Sequence, residues 1–561
     1  GAYKLPYIML PATPGTTRYT LRTVYGFYGT LPSASHAQLS LIGYGGNGRW
    51  DQLAIGSGGE SICFDIGMSL TDRTVTDIRG LMFRHGANGT KWGWTDAGHG
   101  ADWLGLRDSK DKKLLFNDLK TAYLAHGPCL TDVRYDGYYG AERQVELKAQ
   151  IQTLRTDDYA RTFQNLEYGF LKPMPAAKGF LYHLSSRAIT PKVVYGNRAG
   201  VIADIDVPAT AKTGEMLADH LPLAGEGPWW IAFPGATLGQ EATGGATGCR
   251  ALIIRSYEAQ FAGTKQHAPA LSLIVEDKGD GKKGVACDLV APKGVTEFKP
   301  GDRVRFDMEL MTHPRIADDY YGDNQAFIKH LRENPRSWKT VYREAKGNDL
   351  EVAVSGGVLL KNYPVIIQVA SRTGILPVRT DKMSVLQREA TVATVDITGG
   401  IGYVPIRFEN LDSNDYALYE VKQDKEVLLD QSIHGNDYWQ TDYDAASRSY
   451  KMTFNLPLDG KPTSKWVLRQ IDFGTGSGST QMTYRDVSYD VHERTKLNFW
   501  QAKGQGPRPL LVLIHGGGWL GRDKREVKDV SKYLAQGISV AAINYRYSSI
   551  APLPAPVLDA V

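Results

Sequence analysis

The stretch LLVLIHGGGW, Leu510 to Trp519, decides how the end of the chain folds. Five aliphatic residues in a row are too few for a helix and read as a buried strand. The three glycines behind them, Gly516, Gly517 and Gly518, let the backbone turn sharply and take up positive φ values. Such a turn can aim successive N–H groups at a developing negative charge. Outward from it, Val527 to Gln536 reads as a helix and Ile538 to Asn544 as the next strand. Upstream, Tyr484 to Val491 and Thr495 to Trp500 read as a hairpin. Strand, strand, strand, helix, strand is the opening of a parallel α/β sheet, and Val561 is reached before such a sheet could close its core. The 561 residues contain no G-x-S-x-G. The nearest look-alike, Gly474 to Thr480 (GTGSGST), has the wrong spacing and reads as a linker, placed at 474–481.

The residues before that linker have a different character. A length of 561 predicts about three or four domains. Sixty glycines, 30 tyrosines and 11 tryptophans suit a strand-rich, turn-rich protein. They also suit sugar binding, because pyranose rings stack on flat aromatic faces. Short strands are expected at Gln38 to Ile42, Gln144 to Thr153, Ala251 to Tyr257 and Leu271 to Val275, which places a first β-sandwich at 1–290. A second, at 295–470, is expected from Arg303 to Met308, Leu350 to Leu359 (broken at Gly356 and Gly357), Val365 to Ala370, Gly402 to Phe408 and Tyr416 to Val421. One helix is expected, at Asn324 to Asn334, with Ala326, Phe327 and Leu331 on one side. The fold class is therefore mainly β: two large antiparallel sandwiches followed by an incomplete α/β segment at 482–561.

Composition excludes several functions. Sixty-five basic against 61 acidic residues, a net charge of +4, is too balanced for a nucleic-acid binder. No run of about 18 apolar residues is present, so no membrane-spanning helix is expected. Cys63, Cys129, Cys249 and Cys287 form no C-x-x-C and have no histidine at zinc-finger spacing; disulfides and buried thiols both remain open. The start at Gly1-Ala2-Tyr3, without Met, fits either removal of a signal peptide or a trimmed chain, and the expected location is secreted or periplasmic.

Four clusters carry candidate chemistry. In WGWTDAGHG, Trp92 and Trp94 stand two apart on a strand and share a face beside His99; a sugar platform and a hydrophobic core both fit. Tyr138, near Arg134 or Arg155, reads as an activated phenol. Tyr320 and Tyr321 stand among Asp318, Asp319 and Asp323. On what reads as a loop, Asp430 to Asp442 packs His434, Asn436, Asp437, Tyr438 and Trp439 together, which suits catalysis, a hydrated turn or a structural calcium site.

On HGGGW followed by Asn544-Tyr545-Arg546, residues 482–561 resemble the carbohydrate-esterase and lipase branch of the α/β-hydrolases. The resemblance implies that Gly517 and Gly518 donate oxyanion N–H groups. It also implies a Ser–Asp–His triad that these residues do not hold, so esterase activity is not expected of this chain. On loops such as WGWTDAGHG and HGNDYWQTD, residues 1–470 resemble multi-domain β-sandwich polysaccharide lyases. That resemblance implies β-elimination on a uronate-containing acidic polysaccharide, an algal, ulvan-like polymer being one such, with no cofactor required. A base takes the C5 proton, a cation or amide neutralises the C6 carboxylate, and an acid protonates the leaving O4. Tyr138, His99 and His434 then become acid or base; Arg134, Arg155 and Asn436 become neutralisers; Trp92, Trp94, Trp439, Tyr320 and Tyr321 hold sugar. Two alternatives stay open: a carbohydrate esterase with a large glycan-binding region, or a glycoside hydrolase using carboxylate pairs such as Asp437 with Asp442 or Asp318 with Asp319.

Overall fold

The computed structural model describes the backbone of six strands between residues 38 and 94, and then residues 101–560 apart from 127–128, 155–159, 178, 186–191, 235–246, 278–282, 315–328, 331, 335–336, 371–389, 413–415, 430–438, 445, 459–460, 471–481 and 503–508. The chain is mainly β, built from several antiparallel sheets. Alternation decides the strands. In Val145–Leu154 the residues Val145, Leu147, Ala149 and Ile151 point into a core, while Glu146, Lys148 and Gln150 point out.

Two large sheets, one of nine strands and one of ten, face each other across a single core. Tyr182, Leu184, Leu271, Leu273, Val285 and Leu289 come from the first. Tyr135, Leu147, Tyr168, Ile231, Ile254, Phe306 and Met308 come from the second. Arg303–Pro314 corrects the expected boundary: it lies inside the ten-stranded sheet, paired with Thr247–Phe261 on one side and Ala160–Phe170 on the other. Local pattern marks it as a strand but cannot say which sheet receives it.

The outer face of the ten-stranded sheet is covered in part by a helix that was not expected, Trp338–Gly347. Ser337 caps it by accepting from the Lys339 N–H. Its Val341 and Ala345 pack on Trp230, Ala251, Ile253 and Met311, and Trp338 stacks on Trp230 at 5.5 Å. The expected helix at Asn324 to Asn334 falls largely outside the described residues; helical turns remain only at 329–330 and 332–333.

Two five-stranded sheets form the second sandwich around Val365, Ile406, Leu418, Phe454, Trp466 and Leu468. As expected, the glycine pair breaks one stretch into Glu351–Ser355 and Gly357–Asn362. Gly356 has φ +83°, and a Cβ there would lie 2.3 Å from the Val392 carbonyl oxygen, so only glycine fits. Leu130, Leu154 and Phe163 of the first unit join this second core. Close by, Glu309 lies buried between Arg161 and Arg255, and the Arg255 guanidinium sits 4.6 Å from the ring of buried Tyr363. Burial opposes ionisation of Glu309, but the two guanidiniums outweigh it and keep its carboxyl below the usual range.

The last sheet has four strands in the order Tyr484–Ser488, Lys496–Trp500, Ser539–Ile543, Leu510–Ile514. The first three pair antiparallel; Leu510–Ile514 and Ser539–Ile543 pair parallel, as expected. Leu510–Ile514 is not buried, however. It is the sheet's edge, and Leu510, Val512 and Ile514 are each about half exposed. The helix expected at Val527 to Gln536 is shorter, Val530–Ala535, and follows a 3-10 turn at Lys524–Glu526. Cys129, Cys249 and Cys287 are buried, the last two as free thiols. No helix among the described residues is long and apolar enough to cross a membrane.

Candidate oxyanion site in the C-terminal sheet

The glycine turn leaves the C-terminal end of Leu510–Ile514. Gly517 has φ +116° and Gly518 φ +60°, and Trp519 follows at +67°. A Cβ on Gly517 would lie 2.2 Å from the Gly521 carbonyl oxygen, so the turn excludes any side chain there. Among the described residues, no acceptor meets the N–H of Gly517 or Gly518. Two adjacent donors without a protein partner are what an oxyanion hole requires.

Buried polar side chains fix the turn from behind. The Tyr545 hydroxyl donates to the carbonyls of His515 (3.0 Å) and Gly516 (3.1 Å). Burial pushes its phenol up to about 12, so it keeps its proton. The His515 ring stacks on Tyr545 at 4.3 Å, with Nδ1 2.7 Å from the Gly516 carbonyl. That oxygen can only accept, so Nδ1 carries the proton. Burial, with Arg494 nearby, pulls the His515 imidazole down to about 4, and the ring is neutral near pH 7.

Below lies Asp523, fully buried. It accepts from Asn544 Nδ2 at 2.7 Å and from Arg525 Nε at 2.7 Å, while Asn544 Oδ1 accepts from the Lys524 N–H. Arg494 donates to the Tyr545 carbonyl and lies 3.6 Å over the Tyr547 ring. Arg546, next in the chain, is held by Asp559. Sequence reading singled out Asn544-Tyr545-Arg546 only as a flanking motif. Asp523 caps the turn at Lys524–Glu526 locally, but the partner that ties it to the site, Asn544, lies 21 residues away, and the Tyr545 carbonyl that Arg494 holds lies 51 away.

The other expected site residues do not converge among the described residues. Tyr138 and Arg134 share the outward face of Leu130–Tyr139. Four residues of strand separate them by about 13 Å, and Arg134 faces Asp136 at 3.5 Å. The cation beside Tyr138 is instead Arg143, 4.9 Å over the ring and paired with Asp118. Trp92 and Trp94 stand in Gly89–Trp94, opposite Phe83 and Leu81, as the strand reading expected. His99, Arg155, Tyr320, Tyr321, His434 and Asn436 lie outside the described residues, as do the side chains of Trp92, Trp94 and Trp439 and the linker at 474–481.

Residues 439–442 are a strand, not a loop: Trp439–Asp444 pairs with Ser449–Pro457. Asp442 is buried against Arg407 (3.2 Å) and Gln440 (2.7 Å). Burial pushes its carboxyl up to about 6 despite Arg407. No group of three or more His, Cys, Asp or Glu among the described residues is placed to hold a metal ion.

Comparison with known proteins agrees on the C-terminal sheet. Residues 499–561 match the BD-FAE family, an esterase-like α/β-hydrolase domain. No curated protein matches the chain. Among solved structures, the galactosidase domain of the alpha-galactosidase-sucrose kinase AgaSK aligns at 10% identity and TM-score 0.28, over 48% of this chain and 41% of that one. A GalM/aldose epimerase homologue from C. elegans aligns at 9% and 0.25, over 51% and 99%. Heparinase III aligns at 7% and 0.25, over 64% and 41%. The chain thus spans less than half the length of the galactosidase and heparinase chains. At these scores none of the three assigns a chemistry to it.

Proposed function

We propose that this chain belongs to a carbohydrate-processing enzyme in which residues 482–561 supply the oxyanion-binding part of an ester-cleaving site and the β-rich region holds the glycan. The observation that carries this is the pair of N–H groups on Gly517 and Gly518, which meet no acceptor among the described residues, on a turn braced by Tyr545 and His515. The donors would stabilise the tetrahedral oxyanion of acyl transfer. The nucleophile must come from outside these 561 residues, which hold no G-x-S-x-G. Acetylated and feruloylated polysaccharides test this. The chain alone should bind polysaccharide and release no acyl group, whereas a product that also carries a G-x-S-x-G segment should release acetate or ferulate. A folded product of that kind that releases neither would end the reading.

A second reading is favoured by the outward face of Leu130–Tyr139. There a half-buried phenol (Tyr138), an arginine over it (Arg143) and another on the same strand (Arg134) offer the group types that β-elimination from a uronate needs. In this reading the β-region cleaves a uronate-containing acidic polysaccharide and needs no cofactor. Ultraviolet absorbance of the new C4–C5 double bond should then appear when the chain meets uronate polymers. New reducing ends without that absorbance would mean a glycoside hydrolase instead.

A further inference from the structure

We propose that Tyr545 is the positioning residue that orients the Gly517 N–H, one of the two oxyanion-directed donors, an inference that rests on the ester-cleaving reading above. The argument is one of peptide planes. In a trans peptide the carbonyl and the N–H of one plane point in opposite directions. The Gly516 carbonyl shares its plane with the Gly517 N–H, and the His515 carbonyl shares its plane with the Gly516 N–H. Both carbonyls are drawn to one point, the Tyr545 hydroxyl, at 3.0 and 3.1 Å. A phenol has a single proton, so it shares that proton between the two oxygens. His515 Nδ1, 2.7 Å away, adds a second donor to the Gly516 oxygen. With these carbonyls held toward Tyr545, the N–H groups of the same planes face the other way.

Glycine peptides need such a clamp. With no Cβ, the residues at 516, 517 and 518 reach many backbone conformations at little cost, and most of them would misdirect the donors. The turn carries its own limited support, a bond from the Leu520 N–H to the Gly517 carbonyl. Tyr545 itself cannot swing away. Its ring lies between His515 and Trp519, with centroids at 4.3 and 5.0 Å, and its carbonyl accepts from Arg494. Its chain neighbour Asn544 is tied to Asp523 and to the Lys524 N–H. Rigidity therefore passes from Asp523 through Asn544 and Tyr545 to the Gly516–Gly517 peptide.

The orientation can be read directly in the full chain. Labelling with carbonyl-13C, 15N glycine leaves, in a carbonyl-filtered amide spectrum, only glycines preceded by glycine; Gly517 and Gly518 are two of these, beside pairs such as Gly356–Gly357 and Gly399–Gly400. Tyr545→Phe should shift the Gly517 amide and split or broaden it, while the signals of Gly357 and Gly400 stay in place. Tyr547→Phe, which removes a hydroxyl bonded to the Arg522 carbonyl in the same cluster, should leave Gly517 where it is. An unchanged Gly517 signal in Tyr545→Phe, or an equal shift in Tyr547→Phe, overturns the proposal. If Tyr545→Phe loses the C-terminal fold, His515→Gln removes the other donor to the Gly516 oxygen. It should broaden Gly517 only partly, since Tyr545 still holds the peptide; complete loss of the orientation in that variant would assign the role to His515 and overturn it. The readout is the peptide's orientation, so a failure to cleave esters would sink the ester-cleaving reading and leave this result standing.

Discussion

Asp442 in the second sandwich and Asp523 beneath the glycine turn are both buried aspartates, yet their carboxyls move in opposite directions. For each, burial is the largest influence and favours the neutral acid. Asp442 meets one guanidinium, Arg407 at 3.2 Å, with Lys451 farther off and Asp132 opposing, and burial wins. Asp523 meets Arg525, Lys524 and Arg494 together and accepts from Asn544, and the cations win. The comparison teaches that depth alone does not set the state of a buried acid. The number of cations packed around it decides whether it is a fixed anion that organises a loop or a group that titrates near pH 6.

The strongest way to break this contrast is Asp523→Ala. It removes the acceptor of Arg525 Nε and unties Asn544 in a buried cluster of cations, and should cost about 4 kcal/mol. Hydrogen exchange of peptides covering 494–547 should rise sharply while the sandwich peptides hold; uniform protection would mean that Asp523 organises nothing. Next comes pH acting on His515. Its imidazole is lowered from 6.5 to about 4 in the folded state. Below pH 6.5 the unfolded chain therefore takes up a proton that the folded loop refuses. Stability of this region should fall by about 3 kcal/mol as pH drops from 6.5 to 4, and His515→Asn should flatten that slope in denaturant titrations.

Asp442 carries the opposite sign. Its carboxyl is raised from 3.8 to about 6, so between those values the folded state keeps a proton that the unfolded state releases. Stability of the second sandwich should fall as pH rises through that window, by somewhat under 3 kcal/mol. Asp442→Asn should remove the dependence; a variant whose pH profile matches the parent would show that the carboxylate is not desolvated. The smallest effect sharpens the cation count. Lys451 lowers the Asp442 carboxyl from a distance, and Lys451→Met should move the midpoint of that profile upward at a cost of about 1 kcal/mol or less.

Much of the fold was legible because strand alternation is local. Val145–Leu154, the break at Gly356 and the parallel pair around HGGGW all follow from neighbours in sequence. The helix Trp338–Gly347 carries a local signal too, since Trp338, Val341, Tyr342 and Ala345 recur at helical spacing as Ala326, Phe327 and Leu331 do. The exposure of Leu510, Val512 and Ile514 was not legible, because an aliphatic strand has the same composition at an edge as at a centre. Of the candidate site, Gly517 and Gly518 could be named from their motif.

By itself the sequence determined the strand-rich class, the glycine turn after Leu510–Ile514 and the lack of a G-x-S-x-G serine, all properties of short windows of chain. Only the tertiary structure decided that Arg303–Pro314 lies inside the ten-stranded sheet, that Tyr138 faces Arg143, and that Asp523 and Arg494 stand behind the turn. The reason is physical: pairing across sheets, and the burial that sets an acid among its cations, bring together residues tens to hundreds of positions apart, and packing, not local propensity, does so.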